Sequence, residues 1–174
     1  MKNTKTILTS LATSFCLLLT ACGAAHDEAW YEKHDPKKLA KEESEEIFEY
    51  LMNEDIESLC ELFSDDVKGS HDLEAEWKDF FDHIDGNIVS YDGLSFPGEG
   101  LSIDKDGVVY DSHLNIRFNN VATDTDKTYP AIGYYQTRIN TAHPISEGIN
   151  VFSLKKKDEG VIVDDIVVGD LIVY

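Results

Sequence analysis

The spacing of apolar residues changes near residue 87, and this change constrains the fold more than any other feature of the sequence. Before that point, apolar residues recur every three or four positions with charged residues between them, which is typical of helices that bury one face. After it, apolar and polar residues alternate and β-branched and aromatic residues become frequent, which indicates strands. A run of helices followed by a run of strands predicts an α+β fold, with three N-terminal helices packed on a curved, mainly antiparallel sheet.

Capping and turn residues set the predicted boundaries of these elements. Asp35 followed by Pro36 predicts the start of the first helix, and Asp55 predicts the start of a second helix that ends near Ser64. A third helix is expected over 73–84, after a polar break at 67–70. Strands are expected at 88–91, 101–103, 108–118, 129–140, 149–155 and 161–168, with a hairpin turn at 104–107.

The first 22 residues have the features of an export signal. Lys2 and Lys5 form a basic start, and the mainly apolar stretch 7–19 is too short to span a bilayer comfortably. It leads into Leu19-Thr20-Ala21-Cys22, which resembles the lipobox of bacterial lipoproteins. The alternative is a buried Cys22 thiol behind an ordinary secretory signal. We predict a signal peptide at 1–21, a lipid-modified N-terminus and tether at 22–34, and a single domain at 35–174, anchored by lipid on the extracytoplasmic side of the cell membrane.

The chain is strongly acidic, with 15 Lys and Arg residues against 34 Asp and Glu residues and a formal net charge of −19. The predicted signal peptide holds two of the lysines and no acidic residue, so its removal makes the chain more acidic still. Such a surface repels the phosphates of nucleic acids and the head groups of anionic lipids. We therefore expect no nucleic-acid partner, and membrane contact only through the lipid on Cys22.

Cysteine usage and the motif search give no candidate for catalysis. Cys16 leaves with the signal and Cys22 carries the lipid, so Cys60 has no partner for an internal disulfide. Cys60 shares a predicted helical face with Leu59 and Phe63 and has acidic neighbours, which indicates a core residue and not a nucleophile. Phosphate loops, paired metal-ligand motifs and nucleophile elbows do not occur in the sequence. No catalytic residue, metal or cofactor is predicted.

Short segments of the sequence resemble known families. The segment LMNEDIESLCELFSDDV at 51–67 resembles the helix-turn-helix opening of the nuclear-transport-factor-2-like superfamily, which includes ketosteroid-isomerase-like and SnoaL-like proteins. Together with the lipobox, His71-Asp72-Leu73 and Asp85-Gly86-Asn87-Ile88, it is similar to a group of bacterial lipoproteins known only as a domain of unknown function. The likeness spans about 37–168. It implies a cone-shaped fold whose open end can hold a small ligand.

The cone interpretation gives five candidate ligand-binding residues, which are Trp77, Tyr110, Tyr134, Tyr135 and Arg138. Tyr134 and Tyr135 are adjacent on a predicted strand and face opposite ways, so one can line a cavity and the other cannot. Arg138 shares a face with Tyr134. It could anchor an acidic group of a ligand, although an arginine on a strand more often pairs with a nearby carboxylate.

Alternation along strand 108–118 predicts which face meets the helices. The even positions are mainly apolar and are expected to cover the helices, which places Asp111 and His113 on the opposite face. We expect a non-enzymatic binding or interaction domain for an unknown small molecule or protein. The alternative is an isomerase- or hydratase-like enzyme of the same fold that uses a carboxylate or histidine from residues 110–138. Asp111 and His113 would suit an acid–base pair if the facing were reversed. A third possibility is a homodimer formed through the exposed sheet face.

Overall fold

The computed structural model describes residues 35–171, so the predicted signal peptide, Cys22 and the tether lie outside the described residues. Four helices come first: α1 (Pro36–Asn53), α2 (Ile56–Glu61), α3 (Asp65–Ser70) and α4 (Leu73–Asp82). Six strands follow: β1 (Ile88–Ser90), β2 (Gly93–Ile103), β3 (Val109–Thr123), β4 (Thr128–Asn140), β5 (Gly148–Asp158) and β6 (Val161–Gly169). A 3₁₀ turn (Pro144–Ser146) precedes β5. Within residues 35–171, no helix is long and apolar enough to cross a membrane.

The predicted α+β class is confirmed, because the helices pack against one antiparallel sheet. The sheet order is β1-β3-β4-β5-β6, and β2 pairs with β3 beside β1. The hairpin at 104–107 is also confirmed, since it joins β2 to β3 in antiparallel pairing. The carboxylate of Asp104 accepts hydrogen bonds from the backbone amides of Asp106 and Val108, which closes this turn.

Side-chain caps begin the helices where the sequence predicts them. The carboxylate of Asp35 accepts a hydrogen bond from the amide of Lys37, and that of Asp55 accepts one from the amide of Ser58. Both predicted starts are therefore confirmed. The second helix ends at Glu61, before its expected end near Ser64.

The number of helices was predicted wrongly, because α3 occupies the expected polar break at 67–70. Ser64 caps this short helix by accepting a hydrogen bond from the amide of Val67. Asp65 and Asp66 in its first turn are favourable beside the positive end of the helix dipole. Val67 is fully buried, so one apolar residue anchors an otherwise polar turn to the core.

The sequence predicts a strand only at 101–103, but β2 begins earlier, at Gly93, and includes the glycine-rich passage before residue 101. Gly98 and Gly100 pair with Asn115 and His113 of β3. A Cβ atom on Gly100 would lie 2.3 Å from the His113 ring, so the glycine provides the space in which that ring rests.

The predicted facing of the third strand is confirmed between residues 112 and 118. Leu114, Ile116 and Phe118 are at most 1% exposed beneath the helices, whereas the odd positions between them lie on the opposite face. Asn120 has a left-handed backbone (φ 51°) and interrupts the alternation, so that after it the odd-numbered residues of β3, Val121 and Thr123, are the buried ones. The space between helices and sheet is filled by large side chains, of which the biggest fully buried ones are Trp77, Phe80, Phe118 and Phe152.

Candidate functional site

Two of the five candidate residues lie in the packed core between helices and sheet. Trp77 is fully buried, and its indole ring lies 5.0 Å from the ring of Phe80 and 5.0 Å from that of Phe152. Tyr134 is 3% exposed, and its hydroxyl lies 3.0 Å from that of Ser44 on α1. Burial raises the pKa of Tyr134 to about 12, with the Ser44 hydrogen bond acting in the opposite direction.

The other three candidates are not among the buried core residues, although the charge of Arg138 acts to lower the pKa of Tyr134. Arg138 makes a two-point ion pair with Glu43, with Nη2–Oε1 at 2.8 Å and Nη1–Oε2 at 3.1 Å. Tyr110 is 48% exposed. Tyr135 faces away from the helices and stacks on His113, with 5.7 Å between ring centroids. The five residues therefore do not converge on one site.

A groove with a volume of about 350 Å³ lies on the face of the sheet that is turned away from the helices. We call it the outer groove. Its lining crosses four strands, and includes Asn115 and Arg117 of β3, Gly133 and Tyr135 of β4, Val151, Ser153 and Lys155 of β5, and Asp164 and Val167 of β6. Gly169, Asp170 and Leu171 close one side.

Strand register places a glycine at the centre of the outer groove. Gly133 pairs with Arg117 on one side and with Ser153 on the other. A Cβ atom at this position would lie 3.2 Å from Cγ of Arg117 and 3.5 Å from Cε of Lys155. The aliphatic stems of both cationic side chains therefore lie against the bare backbone of Gly133, and the charges of both act on Asp164.

The two cations of the outer groove differ in how they are neutralised. Lys155, whose side chain is 13% exposed, donates a hydrogen bond from Nζ to the carboxylate of Asp164. Burial alone would raise the pKa of Asp164, but hydrogen bonds from Lys155 and Ser153, with the charges of Lys155 and Arg117, lower it overall. Within residues 35–171, the Arg117 guanidinium makes no hydrogen bond and no ion pair; it acts on Asp164 only through longer-range attraction.

An acid–imidazole contact borders the outer groove. Nδ1 of His113 lies 3.3 Å from Oδ2 of Asp111, and the other side of the His113 ring stacks on Tyr135. Both side chains of the pair are about one-third exposed. They lie on the face away from the helices, as the alternation predicts, and not in an enclosed cavity between helices and sheet.

The remaining thiol lies in an acidic setting. Cys60 is partly buried beside Glu57, Glu61 and Glu74, at a groove between α2 and α4. Burial raises the pKa of this thiol, and the nearby acidic residues raise it further. The thiol form therefore prevails at neutral pH, which disfavours a nucleophilic role. Across the described part of the chain, no group of three or more His, Cys, Asp and Glu residues is arranged to hold a metal ion.

Two of the five candidate residues, Tyr134 and Tyr135, line the outer groove, but sequence patterns did not identify its charged residues. Arg117, Lys155 and Asp164 belong to three different strands and meet only through strand register. The one local signal was the polar character of the odd positions on β3, which includes Arg117. That signal gives a face, but it does not show which residues of the neighbouring strands share it.

Comparison with protein families gives a match for the central part of the chain. The family described as Domain of unknown function (DUF5104) matches residues 46–157, which include the C-terminal part of α1, helices α2 to α4, and strands β1 to β5 except for the last residue of β5. No match to the chain was found among curated proteins.

Proposed function

The chain belongs to the family described as Domain of unknown function (DUF5104), and we propose that it is a membrane-anchored, extracytoplasmic binding domain that acts through its outer groove. The anchor in this proposal is lipid on Cys22, supported by the lipobox-like Leu19-Thr20-Ala21-Cys22 and the basic and apolar segments before it. The domain is proposed to have a nuclear-transport-factor-2-like fold. Four helices that cover one face of a six-stranded antiparallel sheet are compatible with that fold.

We choose the outer groove as the binding surface because the two faces of the sheet differ: one is covered by packed side chains, and the other has an open groove. On the helix side, Trp77, Phe118 and Phe152 are 0% exposed and fill the space between the helices and the sheet. On the other side, the outer groove is open and about 350 Å³ in volume. The packing of aromatic side chains on the helix side supports a binding role over the alternative of an isomerase- or hydratase-like enzyme. Such an enzyme needs an enclosed site for its substrate.

The anchor is tested by changing Cys22 to Ser and following the protein through cell fractionation. We expect the wild type to be labelled by a clickable fatty-acid analogue and to sediment with membranes. The Cys22→Ser variant should lose the label and the membrane association together. A variant that keeps both would contradict lipid attachment at Cys22. Cys60→Ser is the matched control, and it should behave as the wild type because Cys60 lies inside the domain.

The binding surface is tested by filling the groove. Val167 lines the groove and is 47% exposed, so Val167→Trp adds bulk there without disturbing the core. Val161→Trp adds the same ring to the same strand at a 63% exposed position that does not line the groove. The mature chain 22–174 with Cys22→Ser, free of lipid, is titrated with the neutral fluorophore N-phenyl-1-naphthylamine.

We expect saturable binding to the wild-type groove and to Val161→Trp, and binding at least tenfold weaker to Val167→Trp. Equal affinity for the two tryptophan variants would mean that the fluorophore binds elsewhere and would contradict the proposed surface. Sedimentation equilibrium on the same samples tests the homodimer. A monomer that binds the fluorophore supports the groove as a ligand site, whereas a dimer disrupted only by Val167→Trp would reassign this face to self-association.

A further inference from the structure

The two arginines of this chain are in different electrostatic situations. Arg138 is neutralised by Glu43 through two short contacts. Arg117 is partly buried, yet its guanidinium has no hydrogen-bond or ion-pair partner within residues 35–171. In a chain with more than twice as many acidic as basic residues, an arginine can readily find a carboxylate. With no carboxylate partner among residues 35–171, Arg117 keeps its five donors available to a group from outside that part of the chain.

A second positive charge is held beside Arg117. Lys155 is 13% exposed, and the stems of both side chains rest on Gly133. Asp164 is the carboxylate bound to Lys155, and it leaves one net positive charge at the centre of the groove. Two like charges fixed beside one neutral backbone position form an arrangement that an external oxyanion stabilises.

The rest of the groove is suited to apolar groups. Tyr135, Val151, Val167 and Leu171 line it, and Tyr135 is held in place by its stacking on His113. Val167 and Leu171 are 47% and 45% exposed, so a ligand that covers them removes apolar surface from water. An acidic side chain of the protein, Asp170, also lies at the rim, and it disfavours an anion placed at that end.

We infer that the outer groove binds an amphipathic organic anion, whose oxyanion lies between Arg117 and Lys155 and whose apolar part lies on Tyr135, Val151 and Val167. The inference rests on the proposed function, since it names the ligand class of the same groove. The oxyanion forms charge-assisted hydrogen bonds with the Arg117 guanidinium and competes with Asp164 for Lys155. The apolar part gives the ligand its orientation, pointing away from the two cations.

The test compares two fluorophores that share one aromatic skeleton. One is 8-anilinonaphthalene-1-sulfonate, which carries an oxyanion, and the other is the neutral N-phenyl-1-naphthylamine. Both are titrated into the lipid-free mature chain 22–174 at pH 7, and Kd is compared for wild type, Arg117→Gln, Arg138→Gln and Asp164→Asn. Circular dichroism and thermal unfolding verify that each variant is folded.

We expect the wild type to bind the sulfonate about tenfold or more tightly than the neutral fluorophore. Arg117→Gln should remove this preference by weakening the binding of the sulfonate by a much larger factor than the binding of the neutral fluorophore. Arg138→Gln, the matched control, should keep the preference because its guanidinium lies outside the groove. Asp164→Asn should strengthen sulfonate binding severalfold, since it frees Lys155 and removes a repelling charge.

Equal affinity of the wild type for the two fluorophores, or a preference that survives in Arg117→Gln, would overturn the inference. In that case, if Val167→Trp still weakens binding of the neutral fluorophore, the proposed function is supported although the anionic ligand class is wrong. The experiment therefore distinguishes failure of this inference from failure of the proposed function. Sulfonate binding that weakens in Asp164→Asn would contradict the role given to Lys155.

The oxyanion itself is identified by competition against the bound sulfonate. Octanoate and octyl phosphate are titrated separately, with octanol as the neutral control. The stronger of the two acids identifies carboxylate or phosphate as the preferred group. Displacement by octanol alone would contradict an anionic ligand.

Discussion

The hydroxyl of Tyr134 lies 3.0 Å from the hydroxyl of Ser44, and this contact joins the middle of α1 to the centre of the sheet. Ser44 donates its own proton to the carbonyl oxygen of Ala40, so Tyr134 is the donor in the contact between the two hydroxyls. Both residues are at most 3% exposed. A buried polar pair of this kind fixes how the helix lies on the sheet, because any other placement leaves a hydroxyl unsatisfied.

Stability should fall at high pH through Tyr134. Its pKa is raised by burial from an ordinary value near 10 to about 12, so the unfolded chain loses this proton more readily than the folded one. The protonated Tyr134 makes its full contribution to the free energy of unfolding below pH 10. As the pH rises from 10 to 12, the free energy of unfolding falls by about 2–3 kcal/mol through this residue. Urea unfolding of wild type and Tyr134→Phe at intervals from pH 8 to 12 measures it. We expect the wild type to lose more stability than Tyr134→Phe; parallel curves would contradict this assignment.

The Arg138–Glu43 pair should stabilise the fold modestly. Arg138 is 14% exposed, but Glu43 is 44% exposed, so solvent screening limits their coupling to about 1 kcal/mol. A double-mutant cycle with Glu43→Gln and Arg138→Gln, measured by urea unfolding, isolates this coupling. Glu45→Gln, an exposed change on the same helix, is the control and should shift stability by less than about 0.5 kcal/mol. Strictly additive single changes would show that the pair contributes nothing.

Parts of the fold determined by neighbouring residues were predictable from the sequence. Asp35 and Asp55 cap helices by bonding to amides two and three residues away, so each cap is visible in a short segment. The alternation on β3 likewise gave the correct facing of Asp111 and His113. These features depend only on residues that are close together in the sequence.

Other parts depend on contacts between distant residues, and those were missed. Helix α3 has a single buried apolar residue, Val67, and without its packing partners the segment looks like a polar loop. Strand β2 contains glycines because His113 and Asn115 of β3 occupy the space above them. The charged residues of the outer groove were missed for the same reason, since they come together only across paired strands.

Asn150 is a further residue whose role depends on distant contacts. It is 2% exposed, and its amide oxygen accepts a hydrogen bond from Thr137, while its amide nitrogen donates to the Ser64 hydroxyl and to the Ser146 carbonyl. We expect Asn150→Ala to cost about 2–3 kcal/mol, because Thr137 loses its acceptor in a buried position. Thr137→Val should cost less in the Asn150→Ala background than in the wild type. Denaturant unfolding of both single variants and the double variant measures this, and additive costs would contradict a shared network.

Gly169 should tolerate no side chain at the end of β6. Its backbone is left-handed (φ 75°), and a Cβ atom there would lie 2.4 Å from the Asn150 carbonyl oxygen and 2.7 Å from the Phe63 ring. Gly169→Ala must therefore displace backbone or a packed aromatic ring, and we expect a loss of about 3 kcal/mol or more in the free energy of unfolding. Gly93→Ala is the matched control, because nothing lies within 4 Å of a Cβ atom at Gly93 and its φ is not positive. That change should stay within about 1 kcal/mol of the wild type. Similar melting temperatures for the two alanine variants would show that the end of β6 adjusts to a methyl group, and would contradict the tight packing of Gly169 against β5 and Phe63.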